Sequence, residues 1–171
     1  MSMTETQTDV KQLAGQHFRE GYNCAEAILR AFNTTLELGL DDDALRLAAG
    51  FGGGLGHSGC VCGALAAAVM VLGALQGRRS KDESRDAAYR ASQGFHDAFS
   101  GHFGATCCRA LNPHPFESKE HLRSCLKITG QTAELLINYI NGNSLARKAP
   151  ADALGRQVTD FMQYRYIKPG V

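Results

Sequence analysis

The chain contains no tryptophan, only 8% aromatic residues, and no β-branched run that alternates with polar residues over five positions. A core short of large rings leans on Ala, Leu, Ile and Val, which suits close-packed helices better than a β-sandwich. Charge of either sign is not in excess: 18 Lys and Arg face 17 Asp and Glu, a formal net charge of +1. A nucleic-acid binder concentrates basic charge to release counterions from phosphates, so no nucleic-acid partner is expected. The segment Met1–Val10 has neither a basic nor an apolar stretch, so no secretory signal is read there and a cytoplasmic location is expected. No C-x-x-C occurs, which excludes a zinc ribbon or a thioredoxin-type motif, and no C-x-x-C-H occurs for covalent haem. A phosphate-loop G-K-[S/T] and a Ser-His-Asp order are also missing. With 171 residues, 44% apolar and 20% charged, the sequence predicts one folded domain rather than a disordered chain.

Residues 47–77 carry no formally charged side chain, and Val61–Leu75 is an apolar stretch rich in Ala and Gly. A membrane span needs about 20 strongly apolar residues. The stretch is shorter and follows a glycine loop, so a buried central helix is expected, without stable membrane insertion. Its small residues permit close backbone approach, which makes a homodimer an open expectation.

Helical spacing fills the rest. Val10, Leu13, His17, Gly21, Cys24, Ile28 and Ala31 recur at steps of three and four. Gly21-Tyr22-Asn23 interrupts this stripe, and Asn23 with Glu26 resembles a capping box, leaving one bent helix or two as alternatives. Asp41-Asp42-Asp43 favours a helix start before Ala44–Ala49, and Gly50 ends it. A glycine loop, Gly50–Gly59, leads to a helix expected from about Cys60 to Leu75. Ser80 and Glu83 are spaced as a capping box for a polar surface helix reaching about Phe99. Pro113 and Pro115 keep His102–Phe116 irregular. Ser118 then opens a stripe of Leu122, Cys125, Leu126, Thr129, Ala133, Leu136, Ile137 and Ile140, which Gly142 stops. The expected architecture is all-α, five or six helices around the central Ala/Gly-rich helix. The core is expected over about 10–142, with a peripheral tail over 143–171 carrying a short helix near 151–164.

The thiols fall on four segments: Cys24, Cys60 with Cys62, Cys107 with Cys108, and Cys125. In a reducing compartment they read as metal ligands, redox groups or inert core rather than structural bridges. Cys24, Cys60 and Cys62 sit at expected helix starts, where unpaired N–H groups favour the thiolate, the form that attacks and that binds metals. Against this, free cysteine often behaves as a small buried hydrophobe, and Cys24 and Cys125 both lie on apolar stripes. Cys107 and Cys108, being adjacent, can also form a strained vicinal disulfide. Gly54-Leu-Gly-His-Ser-Gly59 formally fits G-x-G-x-x-G but follows a helical segment instead of a strand, so no dinucleotide site is read there. His57 is a candidate metal ligand or hydrogen-bond donor to sulfur, or simply a solvated loop histidine. His17 lies two turns, roughly 10 Å, before Cys24 on a straight helix. His96, His102, His114 and His121 sit in polar surroundings and are expected at the surface.

Asn23-Cys24-Ala-Glu-Ala-Ile, the glycine run into Cys62-Gly63-Ala64, Phe103-Gly104 with Cys108-Arg109-Ala110-Leu111, and Cys125 together resemble the redox-active family named for its C, GCAxxG, C, C pattern. The resemblance spans about residues 10–140, with four separated motifs in the family's order. It implies an all-α fold, a redox role and four family cysteines, Cys24, Cys62, Cys108 and Cys125. A related module is similar to part of the split-Soret cytochromes, which carry an iron–sulfur centre. The family's last glycine is replaced here by Ala67, and Cys60 and Cys107 are additional thiols that leave the working member of each pair open. The expectation is therefore an iron–sulfur cluster on four thiolates serving electron transfer or redox sensing, with an unidentified redox partner. Cys60, Cys107 and His57 are possible further ligands. A metal-free thiol–disulfide protein and a zinc-locked helical module are the alternatives.

Overall fold

The computed structural model describes residues 3–145 as one all-α domain. Five long helices make its body: α1 (Met3–Arg19), α2 (Cys24–Thr35), α5 (Gly63–Gln76), α6 (Asp86–Phe103) and α8 (Lys119–Gly142). Short turns α3 (Asp42–Arg46), α4 (Gly52–Leu55) and α7 (Cys108–Leu111), with a 3₁₀ turn at Ala49–Phe51, line the connections. No strand occurs among the described residues, only an isolated antiparallel bridge between Val61 and Cys107.

α2, α5 and α8 touch one another at the centre; α1 lies against α2 and α8, and α6 against α5 and α8. The expected helix around Ala64–Leu75 is indeed deep, with Ala64, Ala67, Ala68, Val71 and Leu72 fully buried. α8 shares its central position, since it packs on all four other long helices. Ala67, the family-glycine position, takes its methyl into this core. Between the helices lie Phe32, Phe95 and Phe99, also fully buried. Burying each contributes about 1.5–3 kcal/mol.

Several local expectations are met and others corrected. Asn23 caps a separate helix, so the first stripe is two helices rather than one bent one. The central helix begins at Gly63, not Cys60, because Cys60 and Val61 pair with the segment around Cys107 instead. Ser80 and Glu83 do not open α6. The Ser80 hydroxyl accepts from the Asp82 amide at 3.3 Å and Glu83 accepts from the Arg79 amide at 3.1 Å, closing a turn upstream. α6 starts at Asp86 and runs past Phe99 to Phe103, where Gly104 at φ 77° ends it. Its thin apolar face is enough to seat it: Ala91, Phe95 and Phe99 are buried, and Tyr139 Oη on α8 donates to the Ala91 carbonyl at 3.1 Å. The short helix expected near 151–164 lies outside the described residues. No helix among the described residues is long and apolar enough to cross a membrane.

Candidate functional site

Cys24 is the first residue of α2, and its position is fixed by the residue before it. Asn23 Oδ1 accepts from the amides of Ala25 and Glu26 at 2.9 and 3.1 Å, while Glu26 Oε2 accepts from the Asn23 amide at 3.0 Å. The same Asn23 donates from Nδ2 to the Ala49 carbonyl at 2.9 Å, tying the start of α2 to the chain entering the glycine turn. The sulfur of Cys24 then lies against Gly63, where a Cβ would stand 2.7 Å from Cys24 Sγ.

The second and third cysteine segments are joined by backbone. The Cys62 amide donates to the Thr106 carbonyl at 2.8 Å and the Cys108 amide to the Cys60 carbonyl at 2.5 Å, on either side of the Val61–Cys107 bridge. This pairing sorts the doubled thiols. Cys62 and Cys108 are buried, whereas Cys60 and Cys107 are exposed. Gly54, at φ 70°, presses on the same place: a Cβ there would come within 2.7 Å of Cys108 Cβ and of the Cys60 nitrogen. Gly54 thus packs closely against the backbone of Cys60 and the Cβ of Cys108, which explains why a side chain is absent at that position.

Cys125 comes from the first half of α8 and is half-buried. Its thiol neighbours that of Cys24, the two bordering one cavity. The neighbouring Cys125 thiol, followed by burial, raises the Cys24 pKa well above the usual thiol value, against the opposing pull of the Gly53 and Ala25 amides. Burial, then the neighbouring Cys24, pushes Cys62 up to about 12, while the Leu65 and Ala64 amides at the start of α5 act the other way. Cys108 is raised by burial and next by Cys24, with Arg109 opposing. Cys24 therefore interacts with each of Cys62, Cys108 and Cys125, and the four family cysteines share one electrostatic neighbourhood. All six cysteines are free thiols.

A cavity of about 260 Å³ opens beside Cys24 and Cys125 and is bordered by Tyr22, His57, Glu117 and His121. His57 is exposed, with its ring stacked on Phe116 at 4.5 Å and 15° and packed over Gly53. The loop-histidine expectation is met in exposure, but the ring is held at the cavity wall. His121 corrects the sequence reading: it is 5% exposed, and its Nδ1 donates to the His114 carbonyl at 3.2 Å. His96, His102 and His114 are at the surface as expected. The spacing of His121 and Cys125, one helical turn apart on α8, is the signal that would have found His121. Tyr22, Glu117 and Phe116 had no such signal, because loop closure alone brings them here.

Among the described residues no group of three or more His, Cys, Asp or Glu side chains is arranged to hold a metal ion.

An all-helical domain with four buried or half-buried thiols, two of them on one cavity, defines a class of thiol-bearing helical proteins. Residues 22–139 match the family described as "Putative redox-active protein (C_GCAxxG_C_C)", and the chain belongs to that family. It is also similar to an uncharacterized protein of Archaeoglobus fulgidus, 31% identical over 130 residues, which covers 71% of this chain and 86% of the relative. No solved structure matches it.

Proposed function

We propose that the four family cysteines form one redox centre in which Cys24 and Cys125 cycle between dithiol and disulfide. The cavity that Cys24 and Cys125 both border carries this reading, because it brings one thiol from α2 and one from α8 to the same wall. Forming the S–S bond releases two protons and two electrons, and a disulfide acceptor cleaved to two thiols takes up both. Cys62 and Cys108 border Cys24 and keep its surroundings apolar and poor in compensating charge. Such thiols hold their protons at neutral pH, so exchange is expected to be slow there and faster in alkali, where thiolate forms.

Counting free thiols before and after mild anaerobic oxidation tests the reading. Loss of two thiols, regained on reduction, in protein free of iron and zinc is the expected result. No loss of thiols from the buried set would contradict it.

A second reading, an iron–sulfur cluster or a zinc ion on Cys24, Cys62, Cys108 and Cys125, has one observation in its support. Backbone amides at the starts of α2 and α5 act on the Cys24 and Cys62 sulfurs. Amides directed at sulfur are what cluster thiolates use to tune their potential. Iron and acid-labile sulfide in anaerobically isolated protein, lost in Cys62→Ser and Cys108→Ser but kept in Cys107→Ser, would favour this reading. Zinc removable by chelation with loss of the fold would favour the structural ion instead.

A further inference from the structure

We infer that the cavity beside Cys24 and Cys125 is the entry site for a small disulfide substrate carrying an ammonium group, with Cys125 as the attacking thiol. This rests on the dithiol reading above and adds the substrate class and the order of events.

Three observations carry it. The cavity, about 260 Å³, borders both Cys24 and Cys125. That size is at the low end for ligand pockets and suits a molecule of few heavy atoms rather than a protein loop. The two thiols differ in access: Cys24 is 3% exposed, whereas Cys125 is half-buried. Among the described residues bordering the cavity, Glu117 carries a formal charge and no Lys or Arg contributes. Arg30 lies 4.2 Å over the ring of Tyr22 and does not border the cavity. The lining therefore attracts a cation and repels an anion.

The chemistry balances as follows. Cys125 loses its proton to water, and its thiolate attacks one sulfur of the substrate R–S–S–R. The Cys125–S–R bond forms, the substrate S–S bond breaks, and R–S⁻ leaves to be protonated. Cys24, deprotonated in turn, attacks Cys125 Sγ, forming the Cys24–Cys125 disulfide and expelling the second RSH. The substrate is reduced by two electrons to two thiols, and the protein is oxidised by two.

The test uses the full chain with Cys60→Ser and Cys107→Ser, so that the exposed thiols are silent. Cystamine, which is cationic, and dithiodiglycolate, which is anionic, are compared as oxidants, with diamide as an oxidant that needs no fitted pocket. The disulfide is located by peptide mass. Cystamine is expected to form the Cys24–Cys125 disulfide roughly tenfold faster than dithiodiglycolate, the scale of one charge contact near a surface. Glu117→Gln should shrink that ratio, and Leu122→Trp, at the cavity rim, should slow both probes while leaving diamide oxidation unchanged. A trapped Cys125–cysteamine adduct is expected in Cys24→Ser. Diamide forming the disulfide while the two probes react equally, insensitive to Glu117→Gln and Leu122→Trp, would overturn the inference and leave the dithiol reading intact. Failure of diamide itself to join Cys24 and Cys125 would overturn both.

Discussion

Gly63 and the sulfur of Cys24 are in direct contact: a Cβ built on Gly63 would lie 2.7 Å from Cys24 Sγ and 2.6 Å from the Phe51 carbonyl oxygen. One side of that clash is backbone and the other a buried thiol, so neither can swing aside. The glycine after Cys62 is therefore required by the sulfur facing it and not by helix geometry.

Gly63→Ala is expected to destabilise the fold by about 1–3 kcal/mol, the usual result of forcing an extra methyl into a packed interior. Urea unfolding measures this. Gly73→Ala, with open space around its Cβ position, is the control and should be neutral or mildly stabilising, by up to about 1 kcal/mol. Equal loss in both variants would show that the contact with Cys24 is not what makes Gly63 necessary.

Asn23 serves two partners, and two substitutions separate them. Asn23→Ala removes the cap of α2 and is expected to cost roughly 1–2 kcal/mol. Asn23→Asp keeps the acceptor for the Ala25 and Glu26 amides but loses the Nδ2 donor to Ala49. Helix stability should largely survive that change, while the glycine turn loosens and Cys24 becomes more reactive toward a small alkylating agent. Unchanged Cys24 reactivity in Asn23→Asp would show that the tie to Ala49 does not hold the wall in place.

Alkylation of the native protein should follow the sorting made by the Val61–Cys107 bridge. Cys60 and Cys107 react first, Cys125 more slowly, and Cys24 and Cys62 only on unfolding, since burial disfavours the thiolate. Peptide mass after timed exposure to iodoacetamide gives the order. Early labelling of Cys62 would contradict the burial assigned to it.

Alkaline pH should weaken the fold through the same thiols. Cys62 is held protonated up to about 12 in the folded protein, against an ordinary value of 9.0. Between those values the unfolded chain has lost the proton and the folded one retains it, so stability falls as pH rises through that window and is fully present below it. Each such group steepens the fall by up to about 1.4 kcal/mol per pH unit. Cys62→Ala should flatten the decline between pH 9 and 11 relative to the parent chain, with Tyr139, also raised by burial, common to both. Identical slopes would show that Cys62 is not buried as a neutral thiol.

Much of this was legible in the residues. The helical stripes of Val10–Ala31 and Leu122–Ile140 reflect faces that must be buried, and they located α1, α2 and α8. Asn23 with Glu26 marked the start of α2 because capping is local chemistry, readable within four residues. The same logic failed at Ser80 and Glu83, whose side chains found nearby turn amides instead of a helix start. The inward cysteine of each pair could not be read from spacing, because it depends on the pairing of the segments around Val61 and Cys107, which are far apart in sequence. His121 was misplaced for a related reason: polar neighbours suggest the surface, but Asn112 and the loop carrying His114 cover it.

The most direct test is the location of the disulfide made by mild oxidation of the intact chain under anaerobic conditions. Proteolysis without reduction should yield one new linked peptide pair joining Cys24 to Cys125, reversed by dithiothreitol and absent in either Cys24→Ser or Cys125→Ser. A bond between Cys107 and Cys108, or links confined to Cys60 and Cys107 while Cys24 and Cys125 remain free, would contradict a redox centre built on Cys24 and Cys125.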